Sequence, residues 1–371
     1  MIRIAVDGDV SGIERIFGSF GSVQLFEGRK LRRQDLTSCD ALIVRSVTKV
    51  DARLLADTKI KFVGSTTAGI DHIDVDYLAR NNIRFACAPG NNAVAVAEYV
   101  LAATMLCAAR RGRDFQQLRF GIVGAGHVGS ALIERLDRLG IDYLVSDPIR
   151  AARESNFVDS ELTEVLAQDV VTLHVPLTLT GAFPTVNLIN RQSVNCLPPE
   201  VLLINAARGG VIDEAALLAW RGHNPHAYLA IDCWVGEPDV NQELLACADI
   251  ATPHAAGYTI EARERAAQMI GNSLCEYFDF GSQNLGSGDG SASDLAVAPN
   301  EDVHTIVNRA YDLALRTRRF KQLGAVREKF DHERKEFGLR HEFSHFRLAS
   351  SGFAANTVAT LRALGFECED A

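Results

Sequence analysis

Short apolar runs alternate along this chain with stretches in which apolar residues recur at helical spacing. Ile2–Val6, Ala41–Val44 and Phe62–Gly64 read as strands, and the third runs into the small-residue loop Ser65-Thr66-Thr67-Ala68-Gly69. Phe120–Val123 and Tyr143–Ser146 follow, then runs at 170–174, 201–205, 228–232 and 249–251. Repeated short strands each followed by a helical stretch predict parallel α/β sheets. Residues 94–111, VAVAEYVLAATMLCAARR, are apolar nearly all round, which predicts a helix buried on most sides and suited to a place between two domains. After Phe120–Val123, Val128, Leu132, Leu136 and Leu139 mark an amphipathic helix that Gly140 ends.

The 371 residues give room for roughly two to three domains. Apolar residues make up 47% and charged residues 23%, which excludes a mainly disordered chain, a collagen-like repeat and a disulfide scaffold. With 38 basic and 47 acidic residues the net charge is −9, so neither nucleic acid nor an anionic membrane surface is an expected partner. The eight cysteines include no C-x-x-C pair, so no structural metal is expected. The N-terminus does not read as a signal peptide, and no apolar run reaches the ~18 residues of a membrane span. Cytoplasm is the expected compartment.

Gly124, Gly126 and Gly129 form G-x-G-x-x-G between a strand and an amphipathic helix, and Asp147 lies 18 residues past Gly129 at the end of the next strand. That context predicts a dinucleotide site. Gly124 allows the tight turn, Gly126 lets the backbone approach a pyrophosphate, and Gly129 lets helix and strand pack closely. The loop residues Gly124, Gly126, His127, Val128 and Gly129 would present helix N-terminal amides to the phosphates. Asp147 would accept from the ribose hydroxyls and repel a 2′-phosphate, which favours NAD over NADP.

Three polar residues stand at predicted strand ends: Arg208 in LLINAARGGVID, Glu237 in AIDCWVGEP and His254 in ATPHAAGYT. The glycine loop, A-R-G-G, D-x-W-x-x-E-P and P-H-x-A-G, in this order, make the chain resemble the D-isomer-specific 2-hydroxyacid dehydrogenases. The spacings match too, 29 residues from Arg208 to Glu237 and 17 from Glu237 to His254. The chemistry fits the residue types. Arg208 can grip the substrate carboxylate and hydroxyl oxygen with its planar fork. His254 can accept the hydroxyl proton, and Glu237 can orient the imidazole. The resemblance implies NAD as cofactor, with Asp232 near the nicotinamide and Gly257 as a further cofactor contact.

A finer resemblance, in VRSVTKV at 44–50, FVGSTTAGIDHID at 62–74, PGNNAVAVAEYV at 89–100 and HAAGYT at 254–259, points to the branch that oxidises 4-phospho-D-erythronate in vitamin B6 biosynthesis. It implies substrate contacts at Ser46, Thr67 and Tyr258. Arg45 and Lys49 flank Ser46 as cations for a phosphate. A related dehydrogenase acting on 3-phosphoglycerate is the alternative, and a non-catalytic NAD sensor is the third reading.

The expected architecture is two Rossmann-like parallel-sheet domains and a small C-terminal α/β domain. Residues 1–93 and 257–280 form a discontinuous substrate domain, 94–256 the NAD-binding domain, 281–300 a Gly/Ser-rich linker, and 301–371 a dimerisation domain. An apolar face at Val303, Ile306, Val307 and Ala310 favours a homodimer through the last segment. His341-Glu342-Phe343-Ser344-His345 fits H-E-x-x-H, but the strand-like run that follows argues against a zinc-binding helix. Asp71 and Asp74 read as turn and helix cap.

Overall fold

A computed structural model describes residues 1–281, 285–286, 291–298, 300–323, 327–349 and 351–369. The chain divides into two compact units, Met1–Asn92 with Ile260–Gly290, and Ala93–Thr259 with Ser291–Ala371.

The first unit carries a five-stranded parallel sheet in the order Gly21–Phe26, Ile2–Asp7, Ala41–Val44, Phe62–Ser65, Arg84–Ala86. The three central strands are the apolar runs predicted from sequence, and Ala41–Val44 and Phe62–Ser65 are buried along their whole length. Both edge strands escape the sequence pattern. Gly21–Phe26 is half exposed, and Arg84–Ala86 has only three residues. Asp74 caps the helix Val75–Arg80, its carboxylate accepting the Tyr77 N–H at 2.9 Å.

The second unit holds a six-stranded parallel sheet in the order Ile250–Ala251, Tyr228–Ile231, Leu202–Asn205, Val170–Leu173, Phe120–Val123, Tyr143–Ser146. The chain reverses direction across the sheet beside Phe120–Val123, the strand that feeds the glycine loop. Ligands of such sheets bind at this switch point, beyond the strand C-termini. The apolar helix runs Ala93–Arg110 and is buried over most of its length, so its hydropathy serves a core.

Residues 291–371 share a unit with 93–259, where the sequence sets 301–371 apart. The reason is a common core. Ile306, Val307, Tyr311, Phe337, Phe343 and Leu364 pack in one cluster with Tyr99, Val100 and Leu132. Ile306 and Val307 are 0% and 2% exposed, so the helix face expected to favour pairing is covered within the chain. A small parallel sheet, Ser293–Asp294, Phe346–Leu348 and Glu367–Cys368, ties the segment together. Ser293–Asp294 falls inside the expected linker; of that stretch, 282–284, 287–290 and 299 lie outside the described residues. The H-E-x-x-H run is a 3-10 turn, Phe343–His345, leading into the strand Phe346–Leu348, so it lacks the helix a zinc protease needs.

Candidate active site

Six loops at strand C-termini build the candidate site of the second unit. Gly124 takes φ +93°, and a Cβ there would press within 3.0 Å of the His174 carbonyl. Gly129 is packed so tightly that a Cβ would fall 2.2 Å from the Gly124 carbonyl oxygen. A Cβ on Gly126 would meet nothing within 4 Å. The fold therefore needs glycine at 124 and 129, and open space lies over Gly126, where a ligand can approach. The helix His127–Leu139 starts there with no side-chain cap, so its first amides are offered to an anion, His127 and Val128 among them. Asp147 follows Tyr143–Ser146. Its Oδ2 accepts the Ala125 N–H at 2.8 Å and its Oδ1 the Arg150 N–H at 2.9 Å. The residues thus fit a dinucleotide: a cradle of amides, an open glycine and a carboxylate at the next strand end.

Arg208 lies in extended conformation just past Leu202–Asn205. The buried Asn205 positions it, donating from Nδ2 to the carbonyls of Arg208 at 3.0 Å and Cys233 at 3.3 Å. Gly209 then passes so close to the next loop that a Cβ would overlap the Trp234 carbonyl oxygen at 2.1 Å. This contact brings the Arg208 and Glu237 loops together.

Glu237 Oε1 accepts the Trp234 N–H at 2.8 Å, and Oε2 faces His254 Nδ1 at 2.7 Å. Burial pushes the Glu237 carboxyl up, but the His254 imidazole, the Trp234 N–H and the Arg334 guanidinium outweigh it and hold it below its ordinary value. His254 itself takes φ +52°, a region uncommon for a non-glycine residue and one in which strain is stored at functional sites. Its N–H donates to the Asp232 carbonyl at 2.8 Å.

Asp232 anchors this strained turn. Its Oδ1 accepts from Thr252 Oγ1 at 2.6 Å and from the Ala255 N–H at 2.8 Å, and its Oδ2 accepts from the Ala256 N–H at 3.0 Å. Burial raises the Asp232 pKa, against the pull of His254 and of these three donors. The loop is gripped from the other side as well. Arg340 Nη2 donates to the carbonyls of Ala256 at 2.8 Å and Ala95 at 2.9 Å, and Thr259 Oγ1 donates to Glu342 Oε1 at 3.2 Å. Glu98, on the long helix, accepts the Phe343 N–H at 2.9 Å and faces Arg340 at 3.5 Å. Gly257 and Tyr258 are the half-buried tip of the loop.

Arg208, Asp232, Glu237 and His254 are thus brought to one edge of one sheet. Cys233 sits among them, fully buried, its thiol pushed far up by burial and by the Asp232 and Glu237 carboxylates. Sequence reasoning missed Asn205, Arg340 and His174. The last follows Val170–Leu173, with Nε2 3.0 Å from Thr172 Oγ1, no hydrogen-bond partner for Nδ1 among the described residues, and a pKa lowered to about 3 by burial. A polar residue at a predicted strand end beside the glycine loop was the available signal for His174.

In the first unit, Ser46 and Thr67 lie just past the ends of the paired strands Ala41–Val44 and Phe62–Ser65. Thr67 Oγ1 donates to the Gly69 carbonyl at 2.8 Å. Arg45 is bound to two carboxylates, Asp7 at 3.0 Å and Asp9 at 2.6 Å. Lys49 is 80% exposed beside Asp51 at 3.6 Å.

Residues 92–256 match the family described as D-isomer specific 2-hydroxyacid dehydrogenase, NAD binding domain. Among solved structures, the chain is similar to the D-lactate dehydrogenase of Aquifex aeolicus complexed with NAD and lactic acid. The TM-score is 0.64 at 24% identity, covering 75% of this chain and 96% of that one. For the NAD-bound 3-phosphoglycerate dehydrogenase of Entamoeba histolytica the values are 0.63, 24%, 78% and 99%. These likenesses establish the fold. The erythronate-4-phosphate dehydrogenase of Hahella chejuensis is 37% identical, over 98% of this chain and 99% of its own. That of Marinomonas sp. is 36% identical over 100% of both. At such identity along its whole length, the chain belongs to the erythronate-4-phosphate dehydrogenases.

Proposed function

We propose that the protein oxidises 4-phospho-D-erythronate to (R)-3-hydroxy-2-oxo-4-phosphooxybutanoate, with NAD, as a step of vitamin B6 biosynthesis in the cytoplasm. The observation that carries this reading is the 2.7 Å bond between His254 and Glu237 at the same sheet edge as Arg208 and the glycine loop. Relatives named for this activity, similar over their full length, support the substrate.

A 2-hydroxy acid presents a carboxylate beside the carbon that is oxidised. Arg208 holds that carboxylate and the hydroxyl oxygen. With Nδ1 committed to Glu237 Oε2, the lone pair that takes a proton is on His254 Nε2. Nε2 receives the hydroxyl proton, and the ionised Glu237 stabilises the resulting imidazolium. Bound NAD supplies the hydride acceptor. The amides of the glycine loop and the Asp147 carboxylate would hold it, with Asp232 and Gly257 alongside. Asp232 keeps the 254–256 backbone in the conformation that aims the imidazole. Ser46, Thr67 and Tyr258 are the proposed substrate contacts.

The test is turnover of 4-phospho-D-erythronate and of 3-phosphoglycerate with NAD, read as NADH absorbance. Preference for the first is the expected result. Turnover of 3-phosphoglycerate alone would assign the other branch, and NAD binding with neither turned over would make the protein a sensor. The resemblance also supports a homodimer through residues 301–371. Because Ile306 and Val307 are covered, the exposed Leu315 and Leu339 are better candidates for the pairing surface. A monomer by light scattering would remove that part of the reading.

A further inference from the structure

The proposed substrate carries a carboxylate and a phosphate, and both need cations. Arg208 serves the first. The cations that the sequence offers for the second are poorly suited. Arg45 is held by the carboxylates of Asp7 and Asp9, which neutralise it, and Lys49 is a solvated side chain beside Asp51.

Another guanidinium stands at the catalytic loop. Arg334, on the helix Arg327–Phe337 of the C-terminal segment, lies over the ring of Tyr258, with its guanidinium carbon 5.5 Å from the ring centre. Gly338, four residues on, completes the seat of that ring. A Cβ on Gly338 would fall 2.5 Å from Tyr258 Cε1 and 2.6 Å from Cδ1, so only glycine lets the ring lie there. Two residues further, Arg340 fixes the Ala256 carbonyl. The stretch 334–340 therefore places a cation against Tyr258 with the same backbone that holds the histidine loop. The charge reaches the site, because Arg334 also lowers the pKa of the Glu237 carboxyl.

We propose that Arg334 is a specificity-determining residue, whose guanidinium, seated on Tyr258, receives the phosphate of the substrate. The inference rests on the functional reading above. A guanidinium fork matches two phosphate oxygens at once, and a cation already stacked on an aromatic ring is pre-organised for it. On this view the C-terminal segment takes part in choosing the substrate.

The experiment compares wild type, Arg334→Gln and Arg334→Lys on 4-phospho-D-erythronate and on D-erythronate, which lacks the phosphate. Inorganic phosphate is titrated as a competitive inhibitor in parallel. Arg334→Gln should lower kcat/KM for the phosphorylated acid roughly ten- to hundredfold more than for D-erythronate, mainly through KM. The inhibition constant of phosphate should rise in step, and Arg334→Lys should recover part of both. Equal losses on the two acids would show that Arg334 merely positions Tyr258, and would overturn the proposal. So would unchanged kinetics, or an unchanged phosphate constant. If Arg334→Gln does not fold, shown by loss of NADH binding, Arg334→Lys decides. Full phosphate discrimination in Arg334→Lys, with phosphate inhibition at the wild-type constant, overturns the proposal; a loss confined to the phosphorylated acid supports it. A wild type without preference for the phosphorylated acid would overturn the functional reading and this inference with it. A preference that Arg334→Gln keeps would overturn this inference alone.

Discussion

Two loops leave the same sheet at the same edge, each anchored by a carboxylate at a neighbouring strand end, and they differ in what else holds them. The glycine loop, residues 124–129, is held locally. Its shape comes from Gly124 and Gly129, and its side-chain anchors Ser130, Asp147 and Arg150 lie 5, 22 and 25 positions from Ala125. The histidine loop, residues 253–259, has a non-glycine residue at φ +52°, and its own turn bonds, from the His254 N–H to the Thr252 carbonyl at 3.1 Å and from the Tyr258 N–H to the Ala255 carbonyl at 3.0 Å, are joined by anchors from farther away. Asp232 holds it from the neighbouring strand end, and Arg340 and Glu342 from the C-terminal segment. A cofactor site can therefore be built by one strand–turn–helix unit. The proposed proton-transfer site needs the assembled fold, because an aimed imidazole requires its backbone to be pinned on several sides.

The comparison predicts which changes separate cofactor binding from chemistry. The largest effect is expected from His254→Ala. Steady-state kcat should fall by roughly 10²–10⁴, the usual worth of a general base, with NADH affinity by fluorescence titration unchanged. A fall in both together would show that the two loops are not independent.

Arg340→Met comes next. It strips the Ala256 and Ala95 carbonyls of their buried donor and removes the cation facing Glu98. Urea denaturation should show a loss of about 2–5 kcal/mol, with turnover reduced in the protein that remains folded. A stability change under about 0.5 kcal/mol would mean that the C-terminal grip contributes nothing.

Within the glycine loop, Gly129→Ala and Gly126→Ala should diverge. At 129 the new methyl meets backbone, and the protein should lose about 1–3 kcal/mol. At 126 it meets open space at an ordinary φ of −69°, so the melting temperature should hold while NAD affinity falls. Equal destabilisation by both would contradict the assignment of that space to a ligand.

A further effect is in the pH dependence of stability. Burial pushes the Glu98 pKa from its ordinary 4.5 up to about 8, against the pull of Arg340. Between those values the folded protein keeps a proton that the unfolded chain has released. The contribution of Glu98 is thus complete below about pH 4.5 and is lost as pH rises towards 8. Melting temperatures of Glu98→Gln should gain on wild type from pH 5 to 8. Parallel curves would show that Glu98 does not titrate in this window.

Much of this was legible beforehand where the chemistry is local. G-x-G-x-x-G followed by Asp147 works through spacing along one strand–turn–helix–strand path, so its residues announce it. Arg208, Glu237 and His254 were legible as candidates because A-R-G-G, D-x-W-x-x-E-P and P-H-x-A-G follow one another just past strand ends. The edge strands Gly21–Phe26 and Arg84–Ala86 were not, because an edge strand is half solvated and shows no apolar run. Arg45 looked available for a phosphate, since no pattern in the chain reveals that Asp7 and Asp9 close on it.

By itself the sequence determined the alternation of strands and helices, the glycine cradle and the candidates for proton transfer, because periodicity and turn chemistry act over a few residues. Tertiary structure alone decided that residues 291–371 share the core of the long helix, that Gly338 seats Tyr258, and that Arg340 and Asp232 clamp the histidine loop. Arg340 lies 84 positions from Ala256 and 242 from Glu98. Such pairings follow from the burial of apolar faces elsewhere, which brings polar partners together without any mark in the local pattern of the chain.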